Sequence, residues 1–126
     1  MTAGNYSTAG KRPANKAFLA AWKREHADTA TPNFLTVNAW DGMAAIFDLL
    51  KATKGKFTAD EAMAFFKNWK NPDSPRGPIM IDPETRDIVQ NVYIRRVEKQ
   101  DGKLANVEIT TIPMVKDPWK ELNPAK

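Results

Sequence analysis

From Pro13 onward the apolar side chains Ala14, Phe18, Leu19, Ala21 and Trp22 gather on one side of a 3.6-residue spiral. Pro13 suits the first turn of a helix, where its missing N–H would have had no partner anyway. The segment PANKAFLAAWKREHA therefore predicts an amphipathic helix. DTATPN, residues 28–33, interrupts it, because Pro32 disfavours helical backbone at Thr31. A second helix is expected soon afterwards: Val37, Trp40, Ala44, Phe47 and Leu50 recur at helical spacing, Asp41, Asp48 and Lys51 fall elsewhere, and Gly55 supplies a stop. Thr58 with Glu61 forms a capping-box pair opening a third helix, ADEAMAFFKNW, which runs to about Trp69.

The periodicity then changes. KNPDSPRGP packs three prolines and a glycine into nine residues, which predicts a connector and a boundary. Ile79 and Ile81 alternate in the manner of a strand, and DPETRD follows with Pro83 at the second position of an expected type I turn. IVQNVYIRRVEKQ and KLANVEITTI flank Asp101-Gly102, a strong hairpin signal because both turn positions need positive φ. The first ten residues read as a loose lead-in with a short strand around Tyr6, and PMVKDPWKELNPAK as an irregular tail anchored by Trp119 and Leu122. The sum is an α/β chain of three helices followed by one long hairpin.

Composition narrows the chemistry. At 126 residues the chain fits one ordinary domain. Having no cysteine, it lacks thiol catalysis, disulfides and thiolate metal sites. Nineteen basic against fifteen acidic side chains leave a net charge of +4, too slight to imply nucleic acid. Phe34 to Leu50 is apolar-rich but broken by Asn38, Asp41 and Asp48, so it does not span a bilayer, and MTAGNYSTAG holds no signal-peptide core. The one histidine, His26, falls at the polar end of the first helix, where a cation suits the dipole, with no nucleophile beside it. Asp82, Glu84 and Asp87 lack the spacing of a calcium loop and read as a turn. No catalytic residue, metal or cofactor is expected, and the chain is not read as an enzyme. Arg95, Arg96, Lys99 and Lys103 around Tyr93 would suit an RNA-binding sheet, although edge charges that deter strand aggregation account for them more simply.

The local candidate for binding is NAWDG, residues 38–42. Trp40 offers a rigid face and an indole donor, Asp41 an acceptor, and a helix start nearby favours an anion. Asn38, Trp40 and Asp41 together would form one wall of a small-molecule cleft. Spacing alone favours a second reading, with Trp40 in the apolar stripe and Asp41 serving the helix start.

In their order, PANKAFLAAWKREH, NAWDGMAAIFDLL and SPRGPIMIDPETRDIVQNVYIRRVEKQDGKLANVEITTIPMVKDPW resemble the C-terminal part of bacterial substrate-binding proteins of branched-chain amino-acid ABC transporters. The resemblance implies a portion of a type I periplasmic binding fold, two α/β lobes that close on a solute. Residues 1–71 are then expected in the first lobe, and 72–126 as crossover, hairpin and tail mainly of the second. It implies an exported, periplasmic protein whose signal peptide lies on an N-terminal part outside this sequence. Its ligand would be an amino acid or an aromatic or other organic acid, and its partner an ABC permease. The family often places an aromatic residue and an aspartate at Trp40 and Asp41, near the cleft. A contrasting expectation is a stand-alone interaction module that oligomerises or exchanges elements, because helices and a hairpin separated from their sheet expose apolar faces and edges.

Overall fold

A computed structural model describes residues 1–27 and 29–123, apart from the side chain of Glu121. Asp28 of the DTATPN break and the last three residues of the tail lie outside the described residues. The order of elements is β1 (Thr2–Gly4), α1 (Pro13–His26), α2 (Phe34–Thr53), α3 (Ala59–Lys67), β2 (Lys70–Asn71), β3 (Ile79–Ile81), β4 (Ile88–Gln100), β5 (Lys103–Val115) and α4 (Pro118–Leu122). Among the described residues no helix is long and apolar enough to cross a membrane.

The three expected helices form where their caps dictate. Asn33 Oδ1 accepts from the amides of Leu35 (2.9 Å) and Thr36 (3.2 Å), while Thr36 Oγ1 accepts from the Asn33 amide, closing a capping box on α2. Thr58 and Glu61 close the same reciprocal motif on α3. Lys54 continues α2 into a left-handed cap, and Gly55 follows at φ +76°, so the expected stop falls at Gly55. Asp101 and Gly102 both take positive φ, +49° and +81°, as a tight hairpin between β4 and β5 requires.

All strand pairs are antiparallel. The long strand β4 organises the sheet. One of its edges carries β5, from the Gln90–Val115 pair to the Gln100–Lys103 pair, and β3 (Ile81 opposite Ile88) and β1 (Gly4 opposite Tyr93) also pair with it, with β2 beyond β3. Two small cores result. Tyr6, Phe18 and Val37 pack with Leu19 and Trp22; Ala45, Trp69 and Ile79 pack with Phe65, Phe66, Ile81 and Ile88.

Several expectations are corrected. The lead-in strand lies at Thr2–Gly4 rather than around Tyr6, whose side chain is instead buried with its hydroxyl donating to Asn15 Oδ1 at 3.0 Å. That burial pushes the Tyr6 hydroxyl up to about 12. The 82–87 turn is wider than type I: the Arg86 amide donates to the Asp82 carbonyl, the Asp82 amide to the Asp87 carbonyl, and Asp82 Oδ1 takes the amides of Glu84 and Thr85. The tail contains α4, capped by Asp117, and Trp119 is exposed rather than an anchor. Most consequentially, the buried stripe of α2 is Val37, Asp41, Ala45 and Leu49, whereas Trp40, Phe47 and Leu50 remain outside. Apolar residues surround this helix, so periodicity did not single out the inward stripe; packing did, with Val37 against Tyr6 and Phe18, Asp41 against Ser74 and Arg76, and Ala45 against Trp69 and Ile79.

Candidate functional site

Asn38, Trp40 and Asp41 occupy the second turn of α2, one residue type on each of three sides. Trp40 is 46% exposed, with its ring edge-on to Phe18 at 5.2 Å between centroids. It lines a groove of about 480 Å³ with Trp22, Met43 and Phe47. Asn38 is exposed and its Oδ1 accepts a long hydrogen bond, 3.5 Å, from Asn5 Nδ2. Asp41 is only 2% exposed. Neighbours in sequence are 100° apart around a helix, so Trp40 and Asp41 do not face one space.

Asp41 instead anchors the connector. Its Oδ2 accepts from Arg76 Nε at 2.7 Å and from Ser74 Oγ at 2.9 Å, all three groups being buried. Arg76 Nη1 continues to Gln90 Oε1, which also accepts from Asn5 Nδ2 at 2.9 Å, and Asn5 closes the chain to Asn38. Asp41 Oδ1 has no partner among the described residues. Burial pushes the Asp41 carboxyl above its ordinary value, against the pull of the Arg76 guanidinium and the Ser74 hydroxyl. Removing one partner of an ion pair this buried leaves an uncompensated charge, which is costly, whereas replacing both by apolar residues often is not.

A second hub pins the same connector from the opposite side. Arg12, the residue preceding α1, forms a bidentate pair with Glu108 of β5 at 2.7 and 2.8 Å, donates from Nε to the Pro75 carbonyl, and lies 4.7 Å above the Tyr93 ring. Tyr93 Oη donates to the Arg76 carbonyl at 2.7 Å. Gly77 is required there: at φ +90°, a Cβ would meet Tyr93 Oη at 2.4 Å. Tyr93 is therefore buried beneath the connector, and offers no exposed ring for a base to stack on.

The third feature is a cavity of about 630 Å³ where β1 and the loop after it, the start of α2 and the hairpin meet. Asn5, Asn33, Phe34, Arg95 and Asn106 contribute to its walls. Sequence reasoning missed this cavity, and with it the Arg76, Gln90 and Asn5 network. One signal was available for the network: Asp41 falls four residues from both Val37 and Ala45, a carboxylate within a buried stripe that demands a cationic partner.

This architecture has known counterparts. A family model described as periplasmic binding protein matches residues 1–103. The chain belongs to the periplasmic binding protein family. A Leu/Ile/Val-binding protein homolog 6 from Brucella abortus (strain 2308) is 38% identical over 119 residues, 94% of this chain and 30% of the relative. A solute binding protein of an ABC transporter from Rhodopseudomonas palustris BisB5, solved with 3,4-dihydroxy benzoic acid, superposes with a TM-score of 0.87 at 50% identity, over 94% of this chain and 32% of that one. A second, from Rhodopseudomonas palustris HaA2 with p-hydroxybenzoic acid, gives 0.85 at 42% identity, with the same coverage. The chain thus spans about a third of the length of these relatives, and its α/β fold matches part of their two-lobed one.

Proposed function

We propose that this chain is part of the solute-binding component of an ABC importer in the periplasm, and that its solute is a small aromatic carboxylic acid. The observation carrying this reading is the pair of solved relatives, 50% and 42% identical, each holding a hydroxylated benzoic acid. An amino acid is the second reading, favoured by the relative named for leucine, isoleucine and valine. Binding involves no chemistry on the solute; closure of two lobes around it shifts an open–closed equilibrium that a membrane permease senses. In that protein residues 1–71 belong to the first lobe and 72–126 mainly to the second, with the connector between them. Asn38 and Trp40 keep polar and aromatic surface for a solute. Asp41 acts beneath them by holding Arg76.

A segment exchange tests the reading. The matched third of the Rhodopseudomonas palustris BisB5 protein is replaced by this chain, and calorimetry follows 3,4-dihydroxybenzoate and leucine. Retained affinity for the aromatic acid with none for leucine is expected. A folded chimera that binds leucine and not the aromatic acid overturns the aromatic assignment.

A further inference from the structure

Arg95 stands apart from the other arginines around it. Those of Arg12, Arg76 and Arg96 each meet a carboxylate, Glu108, Asp41 and Glu98 respectively. Arg95 meets none among the described residues. Its Nη1 donates to the Tyr6 carbonyl and its Nη2 to the Ala3 carbonyl at 2.9 Å, which ties it to the β1 segment, while Glu108, opposite it on β5, is engaged by both Nη atoms of Arg12. Nε is buried and has no partner among the described residues. A guanidinium has five N–H donors in a planar fork, so donors remain after these two bonds. The group lies flat against Gly4, where a Cβ would come within 2.6 Å of Nη2, so glycine is what lets the guanidinium settle beside the backbone.

This cation contributes to the wall of the 630 Å³ cavity. Phe34, 54% exposed, contributes to the same wall. Asn33, the cap of the 20-residue α2, lies beside it, so the positive end of that helix adds to the potential of Arg95. Resting on the solute-binding reading above, we infer that this cavity is the subsite for the carboxylate of an aromatic acid. The Arg95 fork takes the carboxylate and Phe34 supplies an apolar face for the ring. A monocarboxylate supplies the one negative charge the cavity lacks. A neutral isostere such as benzamide does not.

The test uses the 126-residue chain labelled with ¹⁵N and titrated with sodium benzoate, 4-hydroxybenzoate, acetate, leucine and benzamide, while the Arg95 Nε–H and the Asn33 and Phe34 amides are followed by NMR. Both benzoates should move these resonances in a saturable way, with benzamide at least about tenfold weaker. Arg95→Gln should erase the preference for benzoate over benzamide. Phe34→Ala, at an exposed ring, should bring benzoate down to the affinity of acetate and decides the matter if the Arg95 variant fails to fold. Benzoate binding unchanged in either folded variant, shifts confined to other residues, or no response to any carboxylate at tens of millimolar overturns the inference. Leucine binding more tightly than benzoate with the same dependence on Arg95 keeps the carboxylate subsite and removes the aromatic assignment instead.

Discussion

Replacing Asp41 by asparagine isolates the energetics of the buried pair. The substitution keeps size and an acceptor for Ser74 while removing the charge opposite Arg76, whose side chain is 4% exposed against 3% for Asp41. Breaking a pair so buried from one side leaves an uncompensated cation and costs about 3–5 kcal/mol. Gln90 still accepts from Arg76, and the carboxylate already has an oxygen without a partner, so the lower end, about 3 kcal/mol, is expected. That is a large share of a total stability on the order of 5–15 kcal/mol. With a urea slope of about 1–3 kcal/mol per molar, the midpoint should fall by roughly 1–3 M. Urea titration followed by circular dichroism reads it directly. The double variant Asp41→Leu with Arg76→Met should recover most of the loss, because an apolar pair of similar volume carries no desolvation penalty. A single-variant loss below about 1 kcal/mol, or a double variant that costs the sum of its two singles, would refute the assignment of the pair as a coupled anchor.

Two glycines should respond oppositely to alanine. Gly42 lies within α2 with open space where a Cβ would point, so Gly42→Ala should raise stability by about 1 kcal/mol, whereas Gly77→Ala should lower it by about 1–3 kcal/mol; equal melting temperatures for both variants would contradict this. Acid should loosen the 82–87 turn. The Asp82 carboxyl is held below its ordinary 3.8 first by the Glu84 amide and then by Lys116, so its contribution is present above that value and fades as pH falls through the lowered one. Asp82→Asn should flatten this decline in urea midpoints, and an unchanged slope would sink the idea. Finally, Trp40, Met43, Phe47 and Leu50 leave an exposed apolar face on α2, so light scattering should show concentration-dependent association that Met43→Lys with Phe47→Lys weakens; a strictly monomeric wild-type chain would count against it.

Local chemistry was legible where one residue decides the outcome. Thr58 with Glu61, Pro13 at a helix start and Asp101-Gly102 at a hairpin each specify backbone geometry without help from distant contacts, and each formed where the sequence placed it. The orientation of α2 was not legible, because Val37, Trp40, Ala44, Phe47 and Leu50 make as good a stripe as Val37, Ala45 and Leu49, and only packing selects between them. The candidate site divides similarly. The types at Asn38, Trp40 and Asp41 suggested recognition, yet where each points depends on Asn5, Phe18 and Arg76, far away along the chain. The Arg95 cavity was hidden altogether, since β1, the start of α2 and the hairpin meet only through the sheet.

The way β4 carries β1 as well as β3 also bears on how the chain acquires its structure. Ala3 meets Arg95 across 92 positions, and closing a loop of that length costs roughly 4 kcal/mol of chain entropy before any strand contact forms. By contrast β3, β4 and β5 are joined by short turns, so their pairings close far smaller loops. Docking of β1 thus requires the longest loop closure among the strand pairings of the sheet. It also completes the wall of the cavity at Asn5 and Arg95, so that wall depends on the most distant strand contact in the sheet.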